Sequence, residues 1–231
     1  MRGSLSLHLL SRFPTTFKLR RGIVGSRFLF DNLAESHGTF GIMARFNTYI
    51  EHPEIERWRD LCVNEGELCR YAKGEEFVSI GRVARYIIGY VKSGTLKYVL
   101  YDELGAEHVC GFSSAGEFVA DWPFALYGEK AKLAIIANST CEIYRFPVAK
   151  FIERMKTDAG LSELVAKSTE LVFYQTYDRY IALYSQSPEK RYSNLIDNHP
   201  DLFELYSLKD IASFLNITPT YLSRIRKKLG K

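Results

Sequence analysis

Cysteine is scarce in this chain, four residues in 231 (Cys62, Cys69, Cys110 and Cys141), and no Cys-x-x-Cys pair occurs. So few thiols build no disulfide framework and read as free thiols of a reducing compartment. Their wide spacing also argues against an iron–sulfur cluster, which needs closer cysteines. Of the five histidines only His108 falls within strand-like sequence, so haem or a cupin-type metal site lacks a ligand set. No cofactor is expected. No apolar run approaches the ~18 residues of a membrane-spanning helix. Spacing supports no Ser/His/Asp constellation, phosphate loop or carboxylate pair, so the reading is of a protein that is not an enzyme. Acids, finally, are missing from the start of the chain: none precedes Asp31.

What is present is ordinary globular composition, 46% hydrophobic and 25% charged, enough for one or two packed domains. The net charge of +4 is mild but unevenly spread. Residues 43–185 carry a small acidic excess, whereas both ends are basic. Five of the last eight residues are Arg224, Arg226, Lys227, Lys228 and Lys231. Such a cluster suits a phosphate-backbone partner, and equally a solvated helix end whose cations face the C-terminal dipole. Residues 1–42, basic and Ser-containing, have the composition of a transit peptide. Because ordinary composition begins at Met43, they are read as an extension outside the folded unit.

The remainder divides by periodicity. Ile55, Trp58, Leu61 and Cys62 recur at helical spacing between Pro53 and about Leu68. From Arg70 to Pro147 the pattern becomes period two, in runs at Phe77–Ile80, Tyr86–Lys92, Thr95–Tyr101, Glu107–Phe112, Lys132–Ala137 and Cys141–Phe146. Short runs separated by glycine-bearing turns predict an antiparallel β-roll. Residues 147–157 and 159–185 then read as helices. The second carries Leu164, Leu171, Val165 and Val172 at heptad spacing, with Phe173, Tyr177, Tyr180, Ile181 and Tyr184 along another side. Two apolar faces ask for two partners, the roll and a second helix. The expected organisation is therefore an extension at 1–42, a roll with flanking helices at 43–157, a dimerisation helix at 158–186, and a DNA-binding domain at 187–231.

The most specific pattern is Ser207–Leu229, SLKDIASFLNITPTYLSRIRKKL. Ser207 and Asp210 form a capping-box-like start. Leu208, Ile211, Ala212 and Leu215 make one buried stripe, with Ala212 small where a second helix crosses closely. Asn216 tolerates the left-handed backbone that ends a helix, and Thr218-Pro219 starts another as N-cap and first residue. Leu222, Ile225 and Leu229 face inward, leaving Thr220, Tyr221, Ser223, Arg224, Lys227 and Lys228 outward. Two helices and a short turn predict a helix-turn-helix whose second helix enters the major groove. Arg224 is placed to meet guanine, while Thr218, Tyr221, Ser223 and Arg226 suit phosphates. Helix pairs also serve as packing devices, which leaves a small-molecule-binding or interaction protein as the alternative.

This order of parts, with Asp210–Leu229 in particular, resembles the Crp/Fnr (cyclic-AMP receptor protein / fumarate-nitrate regulator) family of transcription regulators, and especially members from Bacteroidetes-type bacteria. The resemblance covers about residues 50–231. It implies an α+β protein: an N-terminal antiparallel β-roll (a cyclic-nucleotide-binding-like jelly roll), a long dimerisation helix and a C-terminal winged helix-turn-helix. It further implies a cytoplasmic homodimer on two-fold symmetric operators, with RNA polymerase as a partner and an effector in the roll. Phe203–Tyr206 would be a wing strand, and the strand that some relatives carry beyond the recognition helix is not expected. Nucleotide-binding members present Gly-Glu and then Arg-Ser; here Ala120-Asp121 and Ala131-Lys132 fall at those positions. Without the guanidinium, cyclic AMP is not the expected effector, and the effector stays unidentified. The corresponding pocket would involve Gly116, Glu117, Asp121, Lys130 and Lys132, or be filled by Trp122, Phe124 and Tyr127. Gln175 and Thr176 would relay from it along the long helix.

Overall fold

A computed structural model describes residue 47, residues 55–122 and residues 124–230. The expectation for residues 1–42 lies outside these. Helix α1 (Ile55–Glu65) buries Ile55, Trp58, Leu61 and Cys62, the stripe its spacing predicts. Eight strands follow: β1 (Glu67–Tyr71), β2 (Glu76–Val78), β3 (Tyr86–Ser93), β4 (Thr95–Tyr101), β5 (Glu107–Ser114), β6 (Phe118–Val119), β7 (Ala134–Ala137) and β8 (Cys141–Pro147). Helix α2 (Phe124–Tyr127) lies between β6 and β7, and α3 (Val148–Thr157), α4 (Ala159–Ser185), α5 (Pro188–Asn198), α6 (Leu202–Leu205), α7 (Leu208–Phe214) and α8 (Pro219–Leu229) complete the described chain.

The strands form two four-stranded antiparallel sheets, ordered β1-β8-β3-β6 and β2-β7-β4-β5. Val91, Ile143, Leu96, Ile135 and Ala137 close the core between them. The β3–β4 turn needs glycine: Gly94 has φ +92°, and a Cβ there would run into Cys141. The first strand was not evident in the sequence because its burial is one-sided and weak, with only Tyr71 buried. Strand β6 was missed because it is two residues long.

A second core joins α1, β3, β8, α3 and the start of α4. Trp58 stacks on Phe151 and meets Trp122 edge-on. Both indoles are satisfied from α4: Trp58 Nε1 donates to Ser168 Oγ and Trp122 Nε1 to Thr169 Oγ1, each at 2.8 Å. These bonds orient the long helix against the roll as well as satisfying the buried N–H groups. Asp158 starts α4 by accepting from the Leu161 N–H. Further along, α4 turns aromatic side chains to solvent, Phe173 at 62% exposure and Tyr184 at 78%.

One expected element is absent. Phe203–Tyr206 is not a wing strand: residues 202–205 form the short helix α6 and Tyr206 caps it. Leu202 and Tyr206, four apart, both point into the core, an arrangement that helical geometry provides. Among the described residues no strand follows Pro147, and no helix is long and apolar enough to cross a membrane.

Candidate nucleic-acid interface

Helices α7 and α8 are specified by their own caps. The Ser207 side chain accepts the Asp210 N–H at 3.1 Å and bonds the Asp210 carboxylate at 2.6 Å. At the other end of α7, Asn216 adopts φ +55°. The Ile217 N–H returns to the Ala212 carbonyl and the Asn216 N–H to Ser213, the paired bonds of a left-handed helix stop. Thr218 then caps α8 by accepting from the Tyr221 N–H, with Pro219 in the first turn. Ile211, Ala212, Leu215, Leu222 and Ile225 interlock in one core with Tyr192, Leu195, Leu202 and Tyr206. Leu229 does not join that inner face, being 39% exposed beside the helix end.

The opposite face of α8 is open. Thr218, Thr220, Tyr221, Ser223, Arg224, Lys227 and Lys228 are all exposed, as the periodicity requires. Ser223 Oγ is turned onto the Pro219 carbonyl. Tyr221 is tied down, its hydroxyl donating to Glu189 at 3.0 Å on α5. Backbone hydrogen bonding and this phenol hold the Glu189 carboxyl below its usual range. Arg226 lies apart from the rest: half-buried, with its guanidinium 4.2 Å over the Phe203 ring and its Nε enclosed without a partner. It is a packing group of α8. Sequence periodicity did not point to Glu189 or to Arg191, whose guanidinium bonds the Gln186 and Leu215 carbonyls. Both lie on α5, and their contacts arise only from the tertiary fold.

The expected effector region is largely filled. Glu117 is fully buried, accepting the Ser114 N–H at 2.7 Å and two donors of Asn47 at 3.3 Å. Asp121 is also buried and accepts the Lys132 N–H at 3.3 Å; its burial pushes the carboxyl up, opposed in part by that bond. Ala131 is 3% exposed and offers no donor side chain. Lys130 and Lys132 are exposed, Lys132 lying 5.9 Å over the Phe124 ring. Gly116 makes the β5–β6 turn with φ +86°. Trp122 packs inward, but Tyr127, 72% exposed, fills nothing. Gln175 reaches this region through Asn47 at 3.0 Å, whereas Thr176 is exposed and bonds the Val172 carbonyl of its own helix. A surface concavity of about 510 Å³ lies elsewhere, between Phe77 and Tyr86, and none of the expected effector residues lines it. Among the described residues no group of three His, Cys, Asp or Glu could hold a metal ion.

Residues 68–158 match the family model of the cyclic nucleotide-binding domain. The fold is that of FixK2 from Bradyrhizobium japonicum, with TM-score 0.62 and 17% identity over 71% of this chain and 84% of that one. It is also that of CLP, the c-di-GMP responsive global regulator of Xanthomonas campestris, with TM-score 0.58 and 16% identity over 77% and 90%. A third, a CRP/FNR-family transcriptional regulator from Thermus thermophilus, superposes with TM-score 0.54 and 16% identity over 71% and 86%. No curated protein sequence matches this one.

Proposed function

We propose that the chain is a dimeric, sequence-specific DNA-binding transcription regulator of the Crp/Fnr type, of the Bacteroidetes-like branch that Asp210–Leu229 resembles. The observation that carries this reading is α8: a helix capped at Thr218, with an apolar side sunk in the core and Arg224, Lys227 and Lys228 exposed on the other. A packing device needs only the buried side. The exposed basic side suits a major groove, with Arg224 reading a base edge and Thr218, Thr220, Tyr221, Ser223, Lys227 and Lys228 holding register on the backbone. The exposed aromatic side of α4 suits a second copy of the chain, whose helix would pair with it and set the two recognition helices about 34 Å apart, one turn of DNA.

The roll supports a sensor role without a cyclic phosphate. Ala131 supplies no guanidinium, and the buried carboxylate of Asp121 repels an anion. An effector of other chemistry would act by its differential affinity for one helix arrangement. RNA polymerase as a partner follows the family resemblance.

The test is a fluorescence-anisotropy titration of random and selected duplexes between about 50 and 200 mM salt. Affinity for both should fall steeply with salt as counterions are released, by roughly 10³-fold for about six phosphate contacts. A flat salt response would move the helix pair to the packing-device reading.

A further inference from the structure

Three parts of the molecule converge on two residues of β5, Phe112 and Ser113. From α4, the Gln175 side-chain amide donates to Asn47 Oδ1 at 3.0 Å. Asn47 Nδ2 in turn lies 3.1 Å from the Phe112 carbonyl, 3.4 Å from Ser113 Oγ and 3.3 Å from Glu117. From the C-terminal helices, the Tyr206 hydroxyl donates to the Ser113 carbonyl at 2.8 Å, and its ring packs 4.1 Å from that of Phe112. Phe214 of α7 lies 5.4 Å from the same ring. From β6, the Phe118 carbonyl accepts from Ser113 Oγ at 2.9 Å. Asn47, Phe112, Ser113, Glu117 and Tyr206 are all buried. Displacing this stretch would strand several polar groups away from water, so its neighbours move together or not at all.

The C-terminal helices are seated on the same sheet edge. The Val109 N–H of β5, an edge strand, donates to Ser213 Oγ of α7 at 2.9 Å. Lys97 of β4 bridges Glu107 and the capping carboxylate of Asp210, the latter at 3.1 Å. Strand β5 is thus covered by the helix pair that the proposed function assigns to DNA.

We propose that Phe112–Ser113 is the coupling point through which the position of α4 sets the seat of α7 and α8 on β5. This rests on the regulator reading for its meaning but not for its test. Two other contacts could carry the coupling, Arg179 of α4 over the Phe214 ring at 5.5 Å and Arg191, which bonds the carbonyls of Gln186 at the end of α4 and Leu215 at the end of α7, and the test separates them from Phe112–Ser113.

The experiment is amide hydrogen exchange in the full chain without DNA, read at Ile211 and Leu215 of α7, for Gln175→Ala, Tyr206→Phe and the double variant. Tyr206→Phe, which removes only the hydroxyl, should speed exchange roughly three- to tenfold. Gln175→Ala should speed the same amides roughly two- to fivefold, although the coupling route places it three links away. The double variant should fall short of the product of the two, and the shortfall should persist in Arg179→Ala and in Arg191→Ala backgrounds. Wild-type exchange at α7 in Gln175→Ala, effects that simply multiply, or a shortfall that vanishes without Arg179 or without Arg191 would each overturn the proposal. Because no DNA is present, failed DNA binding would remove the regulator reading and leave this result standing.

Discussion

Two charged regions of this molecule stand in opposite conditions. The acids of the roll, Glu117 and Asp121, are sealed inside and held by backbone N–H groups and Asn47. The cations of α8, Arg224, Lys227 and Lys228, stand in solvent. Buried polar groups are costly unless matched, so the first region constrains the protein's own geometry. Exposed charges constrain it little, so the second is free to meet a partner. Charged side chains are locked into the fold in one place and left in solvent in the other.

Substitutions should expose that contrast. The largest effect is expected at Glu117. Glu117→Ala strands the Ser114 N–H and the Asn47 donors, lowering stability by about 2–5 kcal/mol in chemical denaturation. A loss below about 0.5 kcal/mol, the usual surface value, would dissolve the distinction between the regions. Arg224→Ala should leave unfolding unchanged while costing about 1–3 kcal/mol of operator binding and relaxing preference at one base pair per half-site. Unaltered base preference in a selection experiment would remove Arg224 as a reader. Lys227→Ala should weaken binding to every duplex alike and reduce the salt slope by about 1. Loss confined to one operator would contradict a backbone role.

The smallest effect is expected at Asp121. Burial raises its carboxyl above the ordinary carboxylate range. The native state then holds that proton more tightly than the unfolded chain, so stability falls as pH rises from the unfolded value through the folded one. Asp121→Asn should remove this fall, giving a slightly higher thermal midpoint than the parent near neutral pH, a gain that shrinks as the pH is lowered and Asp121 takes up its proton. A variant as pH-dependent as the parent would show the carboxylate to be better solvated than its surroundings indicate.

Legibility in the sequence followed the range of the interactions. Ser207, Asn216, Thr218 and Pro219, and Asp210 in its bond to Ser207, act within four residues of themselves, and each takes the role its local pattern assigns. Apart from β6, the strands from Tyr86 to Pro147 are legible as short β-rich runs between glycine-bearing turns. The wing strand expected at Phe203–Tyr206 comes from the family resemblance and not from a local pattern. Leu202 and Tyr206 settle into a core contributed by β5 and α5, and that core imposes a helix. Arg226 suits a phosphate by its charge, yet Phe203 gives its guanidinium a ring to cover. Gln175 met Asn47 across 128 positions of chain, a distance that no periodicity reports.

Asp210 has two oxygens and two employments, one turned to Ser207 within its own helix and one to Lys97 on the roll. Only the second is surrendered if the helix pair lifts away, and Lys97 would still keep Glu107. The stops at Asn216 and Thr218 are likewise internal to the pair. The ends of both helices are therefore fixed by residues of the pair itself, and none of these caps depends on the roll.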